Sequence, residues 1–125
     1  MSQQRPVNLD LATLKFPIMA ISSILHRISG IFLFLLSPLM IYFFDMSLKN
    51  AGTFTELQSW LESCVYCKLA VWAFGVAIIY HLFAGMRHMV MDIGYGETVS
   101  AARKTAIAVI ALSLVFTVLL GIWIW

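Results

Sequence analysis

Three histidines are the side chains of this chain most able to do chemistry. His81 stands in an apolar run six residues before Arg87, and helical rise would place it about 9 Å from that arginine along the axis. An imidazole within hydrocarbon is either hydrogen-bonded to a neighbouring helix or a ligand, and the apolar run does not favour one over the other. Gly85 and His88 fall on the same helical face as His81. Gly85 would let a flat ring lie against the backbone there.

A haem iron held by His81 is one function that this face could serve. Arg87, His88 and His26 lie at depths where they could contact haem propionates. His81 and His88 are about 10.5 Å apart along one helix, and His26 is predicted to be shallower than His81. One chain therefore does not offer two opposed axial ligands, and the second would come from a partner membrane subunit.

Ser23 and Arg27 form a second candidate site at the start of the first apolar run. Their i, i+4 spacing puts them on one helical face. Arginine is always charged and presents a rigid fork of donors, so the pair could hold the carbonyl oxygen of a quinone. Spacing alone favours the alternative, in which Arg27 reaches lipid phosphates and Ser23 bonds its own helix.

Sulfur-containing residues supply weaker signals. Cys64 and Cys67 form a C-x-x-C sequence, but Lys68 follows, so the covalent haem motif C-x-x-C-H is absent. A disulfide is compatible with the predicted outer location, although two ordinary small apolar residues are the favoured interpretation. A methionine can also ligate haem iron. The methionines near His81 are predicted to be packing residues, and they are Met86, Met89 and Met91.

The elements that must position these residues are membrane-spanning helices. The chain is 62% hydrophobic and 11% charged, whereas soluble domains carry about 25% charged residues. Uncharged runs cover 28–44, 69–86 and 105–125, and about 20 residues cross a bilayer as a helix. Strand-like alternation is absent. We predict an all-α integral membrane domain over 21–125, with spans at about 21–46, 64–90 and 103–125, after an N-terminal segment 1–20.

Basic residues predict how these spans are oriented. Two lysines, Lys49 and Lys68, fall on one side of the predicted membrane. The other six lysines and arginines fall on the opposite side and are Arg5, Lys15, Arg27, Arg87, Arg103 and Lys104. The positive-inside rule then places the N-terminus in the cytoplasm and the C-terminus outside. This topology accounts for the net charge of +2 without a nucleic-acid partner. A cleaved signal peptide is not expected, and loops are predicted at about 49–62 and 92–103.

Two long motifs combine these polar residues with apolar surroundings. The first is Arg5-Pro6 followed by Ser23-Ile-Leu-His26-Arg27-Ile-Ser29. The second is His81-Leu-Phe-Ala-Gly85-Met86-Arg87-His88-Met89-Val-Met91-Asp92-Ile-Gly94. In these motifs, and over nearly its whole length, the chain resembles the cytochrome b subunit that anchors succinate dehydrogenase in the bacterial inner membrane.

The resemblance implies a role for each candidate residue. His81 matches the axial ligand of one b-type haem, which is shared with a second three-helix anchor subunit that supplies the other ligand. Ser23 and Arg27 match ubiquinone-site residues at the boundary with the iron–sulfur subunit. His26 and His88 match positions near the haem propionates. Succinate oxidation would belong to the flavoprotein subunit, and the Cys64/Cys67 pair has no family role.

Two other classes of function stay open at this point. The chain could be the anchor of a fumarate reductase or another respiratory b-type cytochrome. A self-contained dihaem subunit would need four histidines in two opposed pairs, and this chain has three. The other class is a small non-redox membrane protein, which would bind no haem.

Overall fold

Four helices account for most of the computed structural model, which describes residues 16–125. They are α1 (Ile18–Lys49), α2 (Ala51–Ser63), α3 (Val65–Asp92) and α4 (Val99–Ile124). The described residues contain no strand. Arg5, Lys15 and the start of the predicted N-terminal segment lie outside them.

Three of the helices are long and apolar enough to cross a membrane. These are α1, α3 and α4, with 32, 28 and 26 residues. At a rise of about 1.5 Å per residue each is longer than the roughly 30 Å of bilayer hydrocarbon. The prediction of an all-α protein with three spans is confirmed, and the helix ends differ from the predicted bounds by one to four residues.

The three long helices form an up-down-up bundle in which α3 packs against both α1 and α4. Small buried residues on α3 and α4 allow close helix approach, and they are Ala77, Ala84, Ala102 and Ala106. We call the end of the bundle where α1 and α4 begin and α3 ends the histidine half. The opposite end, where α2 lies, is the α2 half.

Helix α2 replaces the loop that the polar composition of 49–62 predicted, and that prediction was wrong. Asn50 caps the helix: its Oδ1 accepts from the Thr53 backbone N–H (2.9 Å), and the Asn50 N–H donates to Thr53 Oγ1 (3.2 Å). This reciprocal capping box satisfies two donors that a helix start leaves unpaired. Leu57 is buried while most of the other α2 side chains are exposed. A capped start and one apolar anchor thus make a short helix of a mainly polar segment.

The connection between α3 and α4 contains the two glycines predicted to break helix there. Gly94 and Gly96 have φ angles of 96° and 74°, a region that side-chain-bearing residues rarely adopt. Thr98 then starts α4, because its Oγ1 accepts from the Ala101 backbone N–H (3.3 Å). The chain therefore reverses within a few residues, and α4 returns beside α3.

Most large apolar side chains of the bundle face outward. Phe34 is 78% exposed, and Leu35, Leu82 and Ile122 are also largely exposed. A protein that faces water rarely leaves so much contiguous apolar surface uncovered. The helices and this surface define a multi-pass membrane protein.

Candidate functional site

The three histidines meet in one stack between α1 and α3. The His26 ring from α1 lies between the two α3 rings, with centroids 4.2 Å from His81 and 4.9 Å from His88. The interplanar angles are 24° and 22°. His81 and His88 are two turns apart on α3, so an intervening ring from α1 fits the gap.

The hydroxyl of Ser29, which was not among the predicted site residues, orients the His81 ring. Ser29 Oγ donates its proton to the His26 carbonyl oxygen (2.6 Å) and lies 3.0 Å from His81 Nδ1. Because the only hydroxyl proton is already used, Ser29 Oγ accepts from an Nδ1–H of His81. This contact favours the tautomer whose Nε2 carries a lone pair. The Ser29 contact therefore leaves His81 Nε2 as the ring nitrogen able to bind a metal.

The backbone of α1 comes close to the His81 ring. A Cβ placed on Gly30 would lie 3.3 Å from His81 Cε1, which is tighter than ordinary packing. Beside Gly85 lies the His26 ring, whose Nε2 is 3.6 Å from the corresponding Cβ position. Glycines on α1 and α3 thus give the histidine stack its room.

His26 and His88 retain nitrogens able to bind a further group. His26 Nε2 is buried and has no hydrogen-bond partner among the described residues. His88 uses Nδ1 to donate to the Ala84 carbonyl oxygen (2.7 Å), and its Nε2 makes no hydrogen bond to another residue within 16–125. An unpaired buried polar atom is costly unless a ligand satisfies it. The two side chains therefore suit a polar group brought by a cofactor.

Arg87 is separated from the histidines, although it is adjacent to His88 in sequence. Its Nε donates to Thr105 Oγ1 and its Nη2 to the Ala102 carbonyl oxygen, both at 3.1 Å. The residue is only 9% exposed, and these contacts turn it toward α4. The structure thus brings His26, His81 and His88 together and directs Arg87 to the other side of α3.

Ser23 and Arg27 lie one turn apart on α1, at the level of the histidine stack. Ser23 is half-buried and Arg27 is exposed. Each follows a residue of the interior face, Ser22 and His26 respectively, and so lies about 100° around the helix from it. The predicted quinone residues therefore occupy the face of α1 next to the one that carries the histidine contacts.

A second polar contact fixes α1 against α3 beside the stack. The Tyr80 hydroxyl donates to the Ser22 carbonyl oxygen (3.0 Å) and lies 3.1 Å from Ser22 Oγ, and Ser22 is fully buried. The sequence carried a signal for this face: Ser22, His26 and Ser29 are spaced i, i+4, i+7, which aligns them on one side of a helix. The same spacing would have found Ser29.

The stack of three histidines does not form a complete metal site. No group of three or more His, Cys, Asp or Glu residues within 16–125 could hold a metal ion. Stacked imidazoles point their nitrogens side by side and do not converge on one iron. The prediction that a second axial ligand comes from a partner subunit stays a prediction.

Fold and site together define the class: a multi-pass membrane subunit with a polar, histidine-containing face in one half of its bundle. Residues 1–120 match the Succinate dehydrogenase/Fumarate reductase transmembrane subunit family. The chain belongs to this family, which confirms the resemblance seen in the sequence.

Individual relatives match over nearly the full length of the chain. The succinate dehydrogenase cytochrome b556 subunit of Coxiella burnetii is 47% identical, with all of both chains covered. The subunit of the same name from Paracoccus denitrificans is 34% identical over 92% of this chain and 88% of the relative. The one from Rickettsia prowazekii is 33% identical over 95% and 92%.

Proposed function

We propose that this chain is the cytochrome b membrane anchor of a succinate dehydrogenase, and that with a second anchor subunit it holds one b-type haem. It also forms part of the site at which ubiquinone is reduced. The observation that carries the proposal is the orientation of His81 by Ser29, beside the unpartnered His26 Nε2. The name cytochrome b556, borne by the relatives, refers to a b-type haem.

In the proposed haem site, this chain would supply one histidine for the iron and two polar contacts. His81 would hold the iron through Nε2, because Ser29 occupies Nδ1, and a hydrogen-bond acceptor at the other ring nitrogen keeps a ligand imidazole in place. His26 and His88 would hold the propionates through their remaining ring nitrogens. When bound, the haem supplies a one-electron acceptor. The propionate role predicted for Arg87 stays a prediction, since Arg87 contacts α4.

In the proposed quinone site, Ser23 and Arg27 bind the head group. Arg27 is exposed and can donate to a quinone carbonyl oxygen, and its charge stabilises the negative charge that develops there during reduction. The iron–sulfur subunit delivers two electrons that the flavoprotein subunit takes from succinate. Two protons complete the quinol, and we assign their delivery to partner residues because residues 16–125 place no buried carboxylate at that depth.

The proposed topology places the histidine half at the cytoplasmic side of a bacterial inner membrane. Arg27, Arg87, Arg103 and Lys104 lie in this half, whereas Lys49 and Lys68 lie in the α2 half. The positive-inside rule then orients the N-terminus inward and the C-terminus outward. A soluble iron–sulfur subunit could therefore dock on the same side as Ser23 and Arg27.

A fumarate reductase anchor is the second candidate, since the matching family includes both enzymes. The relatives described above are succinate dehydrogenase subunits, which favours succinate oxidation. Family membership argues against a non-redox membrane protein.

The haem assignment is tested with His81→Ala in the co-expressed complex. We expect the reduced b-type absorption band to be lost or strongly weakened, because the iron loses one axial ligand. Met86→Leu is the matched control on the same helix: Met86 is 55% exposed, and the substitution should leave the band unchanged. A His81→Ala complex of normal subunit composition, with unchanged spectrum and haem potential, would remove His81 as ligand.

A further inference from the structure

We propose that Cys64 and Cys67 are a reversible disulfide site in the α2 half, oxidised by thiol–disulfide exchange with a disulfide-bearing protein or small molecule. Neither the family resemblance nor the haem and quinone proposals assign these residues a role. The site lies at the opposite end of the bundle from the histidines and is independent of them.

The junction between α2 and α3 brings the two thiols together. Cys64 is the single residue between Ser63, which ends α2, and Val65, which begins α3. It caps α3, and its Sγ accepts from the Cys67 backbone N–H at 3.2 Å. Both side chains are half-buried, so neither is sealed inside the bundle.

Cys64 is the more reactive of the two thiols. The neighbouring Cys67 thiol, and the Cys67 backbone N–H that donates to the Cys64 sulfur, lower the pKa of Cys64 below its ordinary value. The start of a helix also favours a negative charge on a side chain at that position. A C-x-x-C sequence at a helix start thus has an attacking thiol, Cys64, and a resolving thiol, Cys67.

The exchange balances without any further reactant. The Cys64 thiolate attacks one sulfur of the external disulfide, forms a mixed disulfide and releases one thiolate. Cys67 then loses its proton and attacks the Cys64 sulfur, which releases the second thiolate. Two electrons pass to the external disulfide, which becomes two thiols once two protons are taken up, and one Cys64–Cys67 bond is formed.

The disulfide would tie the first turn of α3 to the residue that connects it with α2. It closes a short ring and restricts the backbone freedom of that one-residue junction. The proposed topology places the α2 half on the outer side of the membrane, where disulfides form and persist. The pair is therefore expected to be oxidised in the cell.

The redox state of the intact complex tests this inference. Cells are quenched in acid, and the chain is labelled with N-ethylmaleimide and weighed by mass spectrometry. We expect an unlabelled chain lighter by two hydrogen atoms, and two labels after treatment with dithiothreitol. Two labels without reductant, together with no intramolecular disulfide at any ratio of oxidised to reduced glutathione, would overturn the proposal.

Single variants test the order of attack. Cys67→Ser keeps both the backbone N–H and a hydroxyl donor beside Cys64, and its remaining thiol should be alkylated at pH 7 about three- to tenfold faster than that of Cys64→Ser. Equal rates would overturn the role of Cys64 as attacking thiol. In intact spheroplasts, a membrane-impermeant maleimide should label the reduced pair, and labelling only in inverted vesicles would overturn the outer location.

Discussion

The two halves of the bundle are held together by different contacts. In the histidine half, side-chain hydrogen bonds join α1 to α3 through Tyr80 and Ser22 and through His81 and Ser29, and Arg87 joins α3 to α4. In the α2 half, the contacts are mainly aromatic and aliphatic. Trp72 meets Trp125 edge-on with ring centroids 6.3 Å apart, and its Nε1 donates to the Thr117 carbonyl oxygen at 3.3 Å.

The comparison shows that helix packing and side-chain orientation depend on different kinds of contact. Apolar contacts predominate between the helices of the α2 half, and such contacts do not fix the direction of a side chain as a polar pair does. Polar groups within a membrane are costly unless they are paired, and each pair fixes the direction of its side chains. The concentration of such pairs around His81 therefore marks the half in which side-chain direction matters. Substitutions in the histidine half should therefore affect function or stability more than substitutions in the α2 half.

The largest effect is expected from Arg27→Leu, which removes a charged donor without disturbing the bundle interior. A hydrogen bond to a charged group is worth about 1.5 to 3 kcal/mol, so quinone reduction should fall roughly tenfold to a hundredfold. Reduction of an artificial dye by succinate should be retained, because it does not need the quinone site. Both activities are measured on purified complex. Equal loss of both would point to failed assembly instead of a quinone-site defect.

A smaller effect, on stability, is expected from Thr105→Val. The change leaves Nε of the nearly buried Arg87 without its acceptor, and an orphaned polar group costs about 1 to 3 kcal/mol. The thermal unfolding midpoint of the complex should fall. Thr117→Val on the same helix is the matched control, since Trp72 bonds to the Thr117 backbone and not to its side chain. Similar losses from both variants would contradict the contrast between the halves.

The substitution Ser29→Ala should change the midpoint potential of the haem. Without its acceptor, His81 Nδ1–H donates less strongly and the imidazole becomes a weaker electron donor to iron. The midpoint potential should then rise by up to about 60 mV, which corresponds to a tenfold change in a one-electron equilibrium. Redox titration measures the shift, and Ser29→Thr, which keeps the hydroxyl, should restore the potential. An unchanged potential would show that Ser29 only packs.

The smallest effect is expected from Trp72→Phe in the α2 half. It removes one long hydrogen bond and part of an aromatic contact, and neither adjoins the histidine stack. The haem spectrum and the quinone reductase activity should be unchanged, while stability falls slightly. A shifted spectrum would mean that the two halves are coupled.

Several features could be predicted from the sequence because they depend on local composition. The three spans follow from apolar runs matched to bilayer thickness, and Gly94 and Gly96 mark the reversal before α4. Helical periodicity likewise placed Ser23 with Arg27, and His81 with His88, on shared faces. Helix α2 was missed because its polar composition resembles a loop, while its stability comes from the Asn50 cap and the burial of Leu57.

The sequence by itself thus determined the membrane class, the number of spans and the helical face of each candidate residue. Each of these depends on the apolar length and the residue spacing of one segment, without reference to the other segments. Only the tertiary structure decided which faces meet. It inserted His26 between the two α3 histidines, gave His81 its partner Ser29, and turned Arg87 toward α4. These outcomes depend on the rotation of each helix about its axis. That rotation is selected by the packing and the polar pairs of all three spans together.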